Sequence, residues 1–547
     1  MVRKPFGSLD PLWYKDAVFY ELYPRAFFDS NSDGHGDLRG ILEKLDYLQD
    51  LGVDCLWLLP IFESPLVDDG YDVSDFYNIK ARFGTVADFR TLIDGAHQRG
   101  MKIIADLVMN HTSNQHPWFR EARSSRHSPK RDYYLWNPDD QKFREVRIIF
   151  IDSQTSNWKF DPATNEYYFH RFFPEQPDLN YDNPLVRQAM LDIIKHWLDF
   201  GLDGFRCDAV PYLFKREESN CENLPETHAF LKELRRLVDE NYPGRLLLAE
   251  ANQPPIETHQ YFGNGDEFQM GFHFPLMPQI FIALKKQDAR PIIDVIRRTP
   301  PIPNMAQWCI FLRNHDELTL EMVTPEERDF LWREYAPDPR MRLNLGIRRR
   351  LAPLLDNDRR KLELAYSLLF TLPGSPIIYY GDEIGMGDNI ALKDRDGVRT
   401  PMQWADAPNA GFSTAEITAL YSRAIDDGEF SYARVNVAAQ QSDSNSLLNA
   451  VKKMIAIRKS HRAFGRGTCE FLETKNETVL AYVRRFENEI ILVVNNLSAS
   501  SQTVSLWMSS WVGHSARDLL TQTEFPQIEV HFPLALAPHQ FLWLVLK

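Results

Sequence analysis

Cysteine is scarce in this chain. Only Cys55, Cys207, Cys221, Cys309 and Cys469 occur among 547 residues, odd in number, far apart and never in a C-x-x-C pair. That usage excludes a disulfide framework and a cysteine zinc site. Long apolar runs are missing too, since none approaches the roughly 18 residues that span a bilayer. Met1 to Pro5 is not followed by the apolar core of a signal peptide. Basic charge is in deficit, with 62 Lys and Arg against 76 Asp and Glu and a net charge of −14. Nucleic-acid affinity comes from cations that neutralise phosphates, so a general nucleic-acid binder is excluded. Repeats and low-complexity segments are absent as well. These absences predict a cytoplasmic protein that works on a small molecule, without nucleic acid or membrane, and they are compatible with a homo-oligomer.

What is present is a globular composition, 44% hydrophobic and 25% charged. The length allows roughly two to four domains. Eight short apolar runs recur along the chain: Asp16 to Pro24, Val53 to Pro60, Lys102 to His111, Gly204 to Val210, Arg245 to Ala251, Phe272 to Met277, Gln307 to Glu317 and Ser375 to Glu383. Amphipathic stretches such as NPLVRQAMLDIIKHWLDFG lie between them. Strands alternating with helices predict a parallel sheet, and eight of them predict an α/β fold of the (β/α)8 TIM-barrel type. Short apolar runs are also compatible with buried helix. Two connections are long. One, Thr112 to Asn180, is rich in aromatics and is expected to form a small inserted domain after the third strand. The other, 318–360, has helical and basic character. Beyond about Gly465 only alternating strand patterns remain, which predicts a C-terminal antiparallel β-domain. The expected division is barrel 1–111, insert 112–176, barrel 177–464 and β-domain 465–547.

Polar residues gather at the C-terminal ends of the runs, where the catalytic loops of a barrel meet. Three acids stand out there, Asp208, Glu250 and Asp316. Carboxylates in different environments serve as nucleophile and as general acid/base in retaining glycoside chemistry. For any one of them alone the strand-end or helix-capping reading would win, but these have partners. Arg206 lies two residues before Asp208, so strand alternation points both to one face and Cys207 to the other. An adjacent guanidinium is expected to keep Asp208 ionised. His315 precedes Asp316, and His111 ends the third run behind Asp106.

Four blocks resemble the α-amylase family of glycoside hydrolases and transglycosylases: DLVMNH (Asp106 to His111), GFRCDAV (Gly204 to Val210), LLAEAN (Leu247 to Asn252) and FLRNHDE (Phe311 to Glu317). A fifth, QPDLN (Gln176 to Asn180), resembles the family's oligo-α-glucosidase branch. The resemblance implies a double-displacement mechanism. Asp208 would be the nucleophile, Glu250 the acid and then base, and Asp316 the stabiliser of the oxocarbenium-like transition state. Arg206, His111 and His315 would hold Asp208 or the glucosyl ring. Asp68 and Tyr71 match a loop that reads the nonreducing glucose, and Arg399 in GVRTPMQW matches the arginine that pairs with Asp68. Arg399 also reads as a structural ion pair on a loop.

Several loop segments, among them IIFIDSQTSNWKFDP (Ile148 to Pro162) and GDEIGMGDNI (Gly381 to Ile390), resemble the branch of the family that isomerises maltose to trehalose. That reaction demands that released glucose stay in the pocket and attack before water does. A closed pocket favours it. Tyr212, Glu317, Glu321, Arg147 and Asn252 lie on loops that could form the cover. A hydrolytic oligo-α-glucosidase or α-amylase with the same trio is the alternative.

Asp29, Asn31 and Asp33 place oxygen donors at alternate positions before Gly34, followed by the His35 carbonyl and by Asp37. The loop resembles the first half of an EF-hand and predicts a structural Ca2+. The position-twelve glutamate is missing, Gly40 stands there, and Asp37 is expected to substitute; an Asx-turn is the plainer reading. A second calcium site common in the family would use Asn110, Asp178 and the backbone of Tyr212 and Leu213. Lys215 stands where the family commonly has a glutamate, and its ammonium is expected to replace that metal.

Overall fold

A computed structural model describes residues 10–547, so the reading of Met1 to Pro5 lies outside the described residues. Eight parallel strands close into a barrel: β1 (Phe19–Leu22), β2 (Cys55–Leu58), β3 (Lys102–Val108), β4 (Gly204–Asp208), β5 (Leu246–Ala249), β6 (Met270–Phe272), β7 (Gln307–Phe311) and β8 (Ser375–Tyr379). Each pairs with its neighbours in sequence, and β8 closes on β1 with Phe19 opposite Ile377. A parallel strand is covered on both faces, which is why these segments read as unbroken apolar runs. Among the described residues no helix is long and apolar enough to cross a membrane.

Seven of the eight runs contain their strand. The sixth is displaced, because β6 ends at Phe272 and Leu276–Lys286 is a helix. Pro275 has no amide to give a strand ladder, and the Leu276 amide donates to His273 Nδ1 at 3.2 Å to start the helix. The outer helices carry their own start signals. Thr85 and Asp88 form a capping box on Val86–Gln98. Asn183 caps Pro184–Asp199, whose buried face is Val186, Met190, Ile193, Ile194 and Trp197.

The insert after β3 holds a three-stranded antiparallel sheet of Trp136–Asn137, Glu166–Phe169 and Trp158–Asp161. Its small apolar cluster, Val146, Trp158 and Phe169, is completed by Cys221 from the loop after β4, so insert and barrel loop pack as one unit. The long seventh loop is less helical than its sequence suggests. It contains the helix Pro325–Tyr335, but RLNLGI forms a tight hairpin of Arg342–Leu343 with Gly346–Ile347, turned at Asn344 with φ 48°. Asparagine tolerates that left-handed conformation. The C-terminal domain is a six-stranded antiparallel sheet facing a two-stranded one, Gln502–Trp507 with His531–Leu536. Leu492, Val494, Phe532 and Leu544 lie in the core between them, and Trp543 Nε1 donates to Ser367 on a barrel helix at 2.9 Å.

Candidate active site

The strand ends converge on one guanidinium. Arg206 Nη1 donates to Asp106 Oδ1 at 2.7 Å and to Asp208, and its Nη2 lies 2.5 Å from Glu250 Oε1. Three acids from β3, β4 and the end of β5 therefore share one buried cation. Cys207, between Arg206 and Asp208, is buried and does not line the cleft, as strand alternation requires. Ala209 follows in a left-handed conformation with φ 56°, and its amide donates to Glu250 Oε2 at 2.9 Å. That backbone costs a non-glycine residue about 1 kcal/mol. It couples the position of Glu250 to the turn that follows Asp208.

One guanidinium does not neutralise three buried acids. Burial pushes Asp106 up to about 6 against the pull of Arg206, while Trp57 Nε1 donates to its Oδ2 at 2.9 Å. Burial and the neighbouring Glu250 raise Asp208 well above the usual carboxylate range, and Arg206 only opposes them. Arg206 favours the ionised form of Asp208, as expected from the sequence, but burial and Glu250 act against it. The two carboxyls are thus close enough to interact, the arrangement an acid–nucleophile couple needs.

Asp316 is built the opposite way. His315 Nε2 reaches its Oδ2 at 3.0 Å, and Arg395 and Arg399 reach its Oδ1 at 3.0 and 3.1 Å. These cations overcome burial and hold Asp316 well below the usual range. Burial alone would lower His315, but Asp316 and Glu21 push it up to about 9. Glu21 Oε1 accepts from His315 Nδ1 at 2.5 Å, and Tyr71 Oη lies 2.8 Å from Nε2 with the two rings stacked. Sequence reasoning did not select Glu21. Its signal was a lone acid inside the apolar run of β1, which is seldom buried without a partner.

Asp68, Tyr71, His111, Asp208, Glu250 and Asp316 all line one cleft. His111 sits between the Tyr71 carbonyl, 3.2 Å from Nε2, and the Phe172 ring, and burial lowers it to about 4. The expected Asp68–Arg399 pair does not form. Asp68 pairs with Arg395 at 3.1 Å and accepts from Gln176 Nε2 at 3.0 Å. Arg399 instead pairs with Asp69 and donates to the His315 carbonyl at 3.0 Å. The split goes with the left-handed turn through Asp69, φ 48°, and Gly70 and with Arg25, which also pairs with Asp69.

The predicted cover residues meet above the cleft. Arg147 of the insert pairs with Glu222 and Glu321, both at 2.9 Å, and donates to Tyr212 Oη at 3.3 Å. Asn252 donates to Glu321 at 3.2 Å. Glu317 accepts from Asn344 at 3.0 Å, and the Asn344 amide donates to Asp152 of the insert at 2.7 Å. Insert and loops four, five and seven thus form a continuous roof.

The aspartate loop lies elsewhere, packed on residues 413–421. A side chain at Gly34, φ +88°, would strike the Ala419 carbonyl. Asp29 Oδ1 accepts from the Ser32 amide at 2.8 Å, Asn31 from that of Asp33 at 3.0 Å, and Asp33 from that of His35 at 2.9 Å. Asp37 caps the helix Leu38–Glu43 through the Gly40 amide at 2.7 Å and accepts from Ser30. Arg82 donates to His35 Nε2 at 2.6 Å. Among the described residues no three His, Cys, Asp or Glu side chains gather so as to hold a metal. The loop's remaining donors are the Asn31 amide and the His35 carbonyl, hard oxygens that suit calcium. At the other expected site, Lys215 Nζ lies 3.0 Å from Asn110 Oδ1 and 2.7 Å from Asp178 Oδ2.

Comparison with known proteins follows the same lines. The family of alpha amylase catalytic domains matches residues 21–333 and 348–467, and that of maltogenic amylase C-terminal domains matches 469–543. A trehalose synthase/amylase of Mycobacterium tuberculosis is 56% identical over 99% of this chain and 92% of its own. A trehalose synthase of Pimelobacter sp. is 53% identical over 98% of this chain and 96% of its own. The crystal structure of a trehalulose synthase from Pseudomonas mesoacidophila, 27% identical, superposes with a TM-score of 0.78 over 98% of this chain and 99% of its own.

Proposed function

The chain belongs to the α-amylase family, and from that premise we propose that it isomerises maltose to trehalose by a retaining double displacement, with some hydrolysis to glucose. Asp208 attacks the anomeric carbon of the nonreducing glucose while Glu250 protonates the departing oxygen. Asp316, held ionised by His315, Arg395 and Arg399, stabilises the positive charge of the transition state. The freed glucose turns over beneath the roof. Its anomeric hydroxyl gives its proton to Glu250 and attacks the glucosyl-enzyme, releasing Asp208 and forming the α,α-1,1 bond.

The observation that carries this reading is the set of contacts by which Arg147 ties the insert to Tyr212 and Glu321, two residues of loops four and seven that line the catalytic cleft. Loops tied together at the cleft favour retention of the first product. The experiment is incubation with maltose followed by sugar chromatography. Trehalose is the expected main product; glucose alone would make the chain a hydrolase and overturn the reading.

Two further parts belong to the proposal. A structural Ca2+ is held by Asp29, Asn31, Asp33 and the His35 carbonyl, with Asp37 fixing the loop to its helix; the alternating oxygens and the turn at Gly34 support it. The working compartment is the reducing cytoplasm, supported by five free cysteines of which four are buried.

A further inference from the structure

A second cavity adjoins the catalytic cleft at Asp68 and Arg395. Arg25, Asp69, Asn389, Tyr421, Ser422 and Arg423 are among its lining residues. Val67 on its rim is 54% exposed, and Asp396 and Arg423 are exposed, so it opens to solvent. A polar cavity open to solvent fills with water. It touches the catalytic cleft at only two residues, Asp68 and Arg395, which line both spaces.

The partition is one ion pair thick. Arg395 Nη2 lies 3.1 Å from Asp68, its Nη1 3.0 Å from Asp316 and its Nε 2.8 Å from Asp394, and the guanidinium carbon sits 5.4 Å from the Phe150 ring centre. One planar fork therefore joins the loop after β2, the acid after β7 and the insert. A lysine ammonium keeps the charge but not the fork that spans two carboxylates. On the other side of the pocket the roof spreads its closure over Arg147, Tyr212, Glu222, Asn252 and Glu321.

We propose that Arg395, paired with Asp68, is the water barrier of the site and sets how the glucosyl-enzyme divides between isomerisation and hydrolysis. The inference rests on the reading of the chain as a maltose–trehalose isomerase. In both fates the bond between Asp208 and the anomeric carbon breaks, Asp208 leaves as carboxylate and Glu250 takes one proton from the attacking hydroxyl. Only the acceptor differs: retained glucose gives trehalose, water gives a second free glucose. The ratio follows the local supply of water, which the partition limits.

The test compares product ratios of the full-length enzyme on maltose. Arg395→Lys is expected to lower turnover, because Arg395 also holds Asp316, and to raise the ratio of glucose to trehalose by roughly tenfold, one decade of relative barrier. Ser422→Trp adds bulk to the second cavity at a residue that does not line the catalytic cleft. It is expected to lower that ratio while leaving the rate of trehalose formation unchanged. A role of Arg395 in positioning Asp316 alone would reduce both products together. An unchanged ratio in either variant overturns the inference. Wild-type enzyme that makes no trehalose overturns the isomerase reading instead.

Discussion

The floor and the rim of the pocket are built from different material. The floor comes from barrel strand ends: Asp106, Arg206 and Asp208 on β3 and β4, Glu250 just past β5, His315 and Asp316 past β7, with Glu21 of β1 beneath. Its geometry follows from a closed sheet whose neighbours are in fixed register, with Asp106 opposite Arg206. The rim comes from the insert and the loops, joined by side chains such as Arg147 and Arg395. The floor performs chemistry common to hydrolysis and transfer. The rim decides which hydroxyl attacks. Rate is thereby assigned to the floor and fate of the intermediate to the rim, with Arg395 touching both through Asp316.

That separation can be broken from the floor first. Asp208→Asn should remove turnover of maltose by several orders of magnitude, since no nucleophile is left, and steady-state kinetics will read it. Near-normal activity would end the assignment. Glu21→Gln should have the next largest effect, roughly tenfold in kcat/KM. His315 faces Glu21, Asp316, Tyr71 and Asp106, and its folded value of about 9 lies above its ordinary 6.5. A raised value means that its stabilising charge is complete below about 6.5 and is lost as pH rises toward about 9. Activity should therefore fall on the alkaline side of that window, and Glu21→Gln should move the fall to lower pH. A pH profile of kcat/KM that does not shift would show that Glu21 only fills space.

The rim should respond in the products. Glu321→Gln weakens the roof at Arg147, and a few-fold rise in glucose relative to trehalose is expected with little loss of maltose consumption, about 1 kcal/mol of partition at most. Equal losses of both sugars would contradict the division of labour. The smallest effect belongs to the aspartate loop, remote from both layers. Chelation should lower the melting temperature by about 1 °C, as loss of about 1 kcal/mol does in a chain of 547 residues, and added Ca2+ should restore it. Calorimetry that shows no change would dismiss the calcium proposal.

The same division governs what the sequence reveals. Floor residues sit at alternate positions on strands, so Arg206 and Asp208 can be placed on one face without a structure. Seven strands are legible because each is an unbroken apolar run; β6 is not, since Pro275 ends its ladder inside a run that continues to Met277. Rim pairings leave no such trace. Asp68 and Asp69 are adjacent and Arg395 and Arg399 lie four apart, so either cross-pairing satisfies the sequence. The choice goes with the left-handed turn through Asp69 and Gly70 and with Arg25, which also pairs with Asp69. Glu21 was hidden for a related reason: its partner lies 294 positions away.

Lys215 carries a consequence for how the insert is fastened. Its ammonium ties Asn110, where the chain leaves β3, to Asp178, where it returns, and reaches the Leu213 carbonyl at 3.4 Å. A metal in that position would be borrowed from the medium, subject to dilution, to competing chelators and to replacement by the wrong ion. A cation carried on the chain is present at one per molecule from the moment of synthesis, at an effective concentration that no buffer changes. The clasp at the neck of the insert is thus inherited rather than recruited.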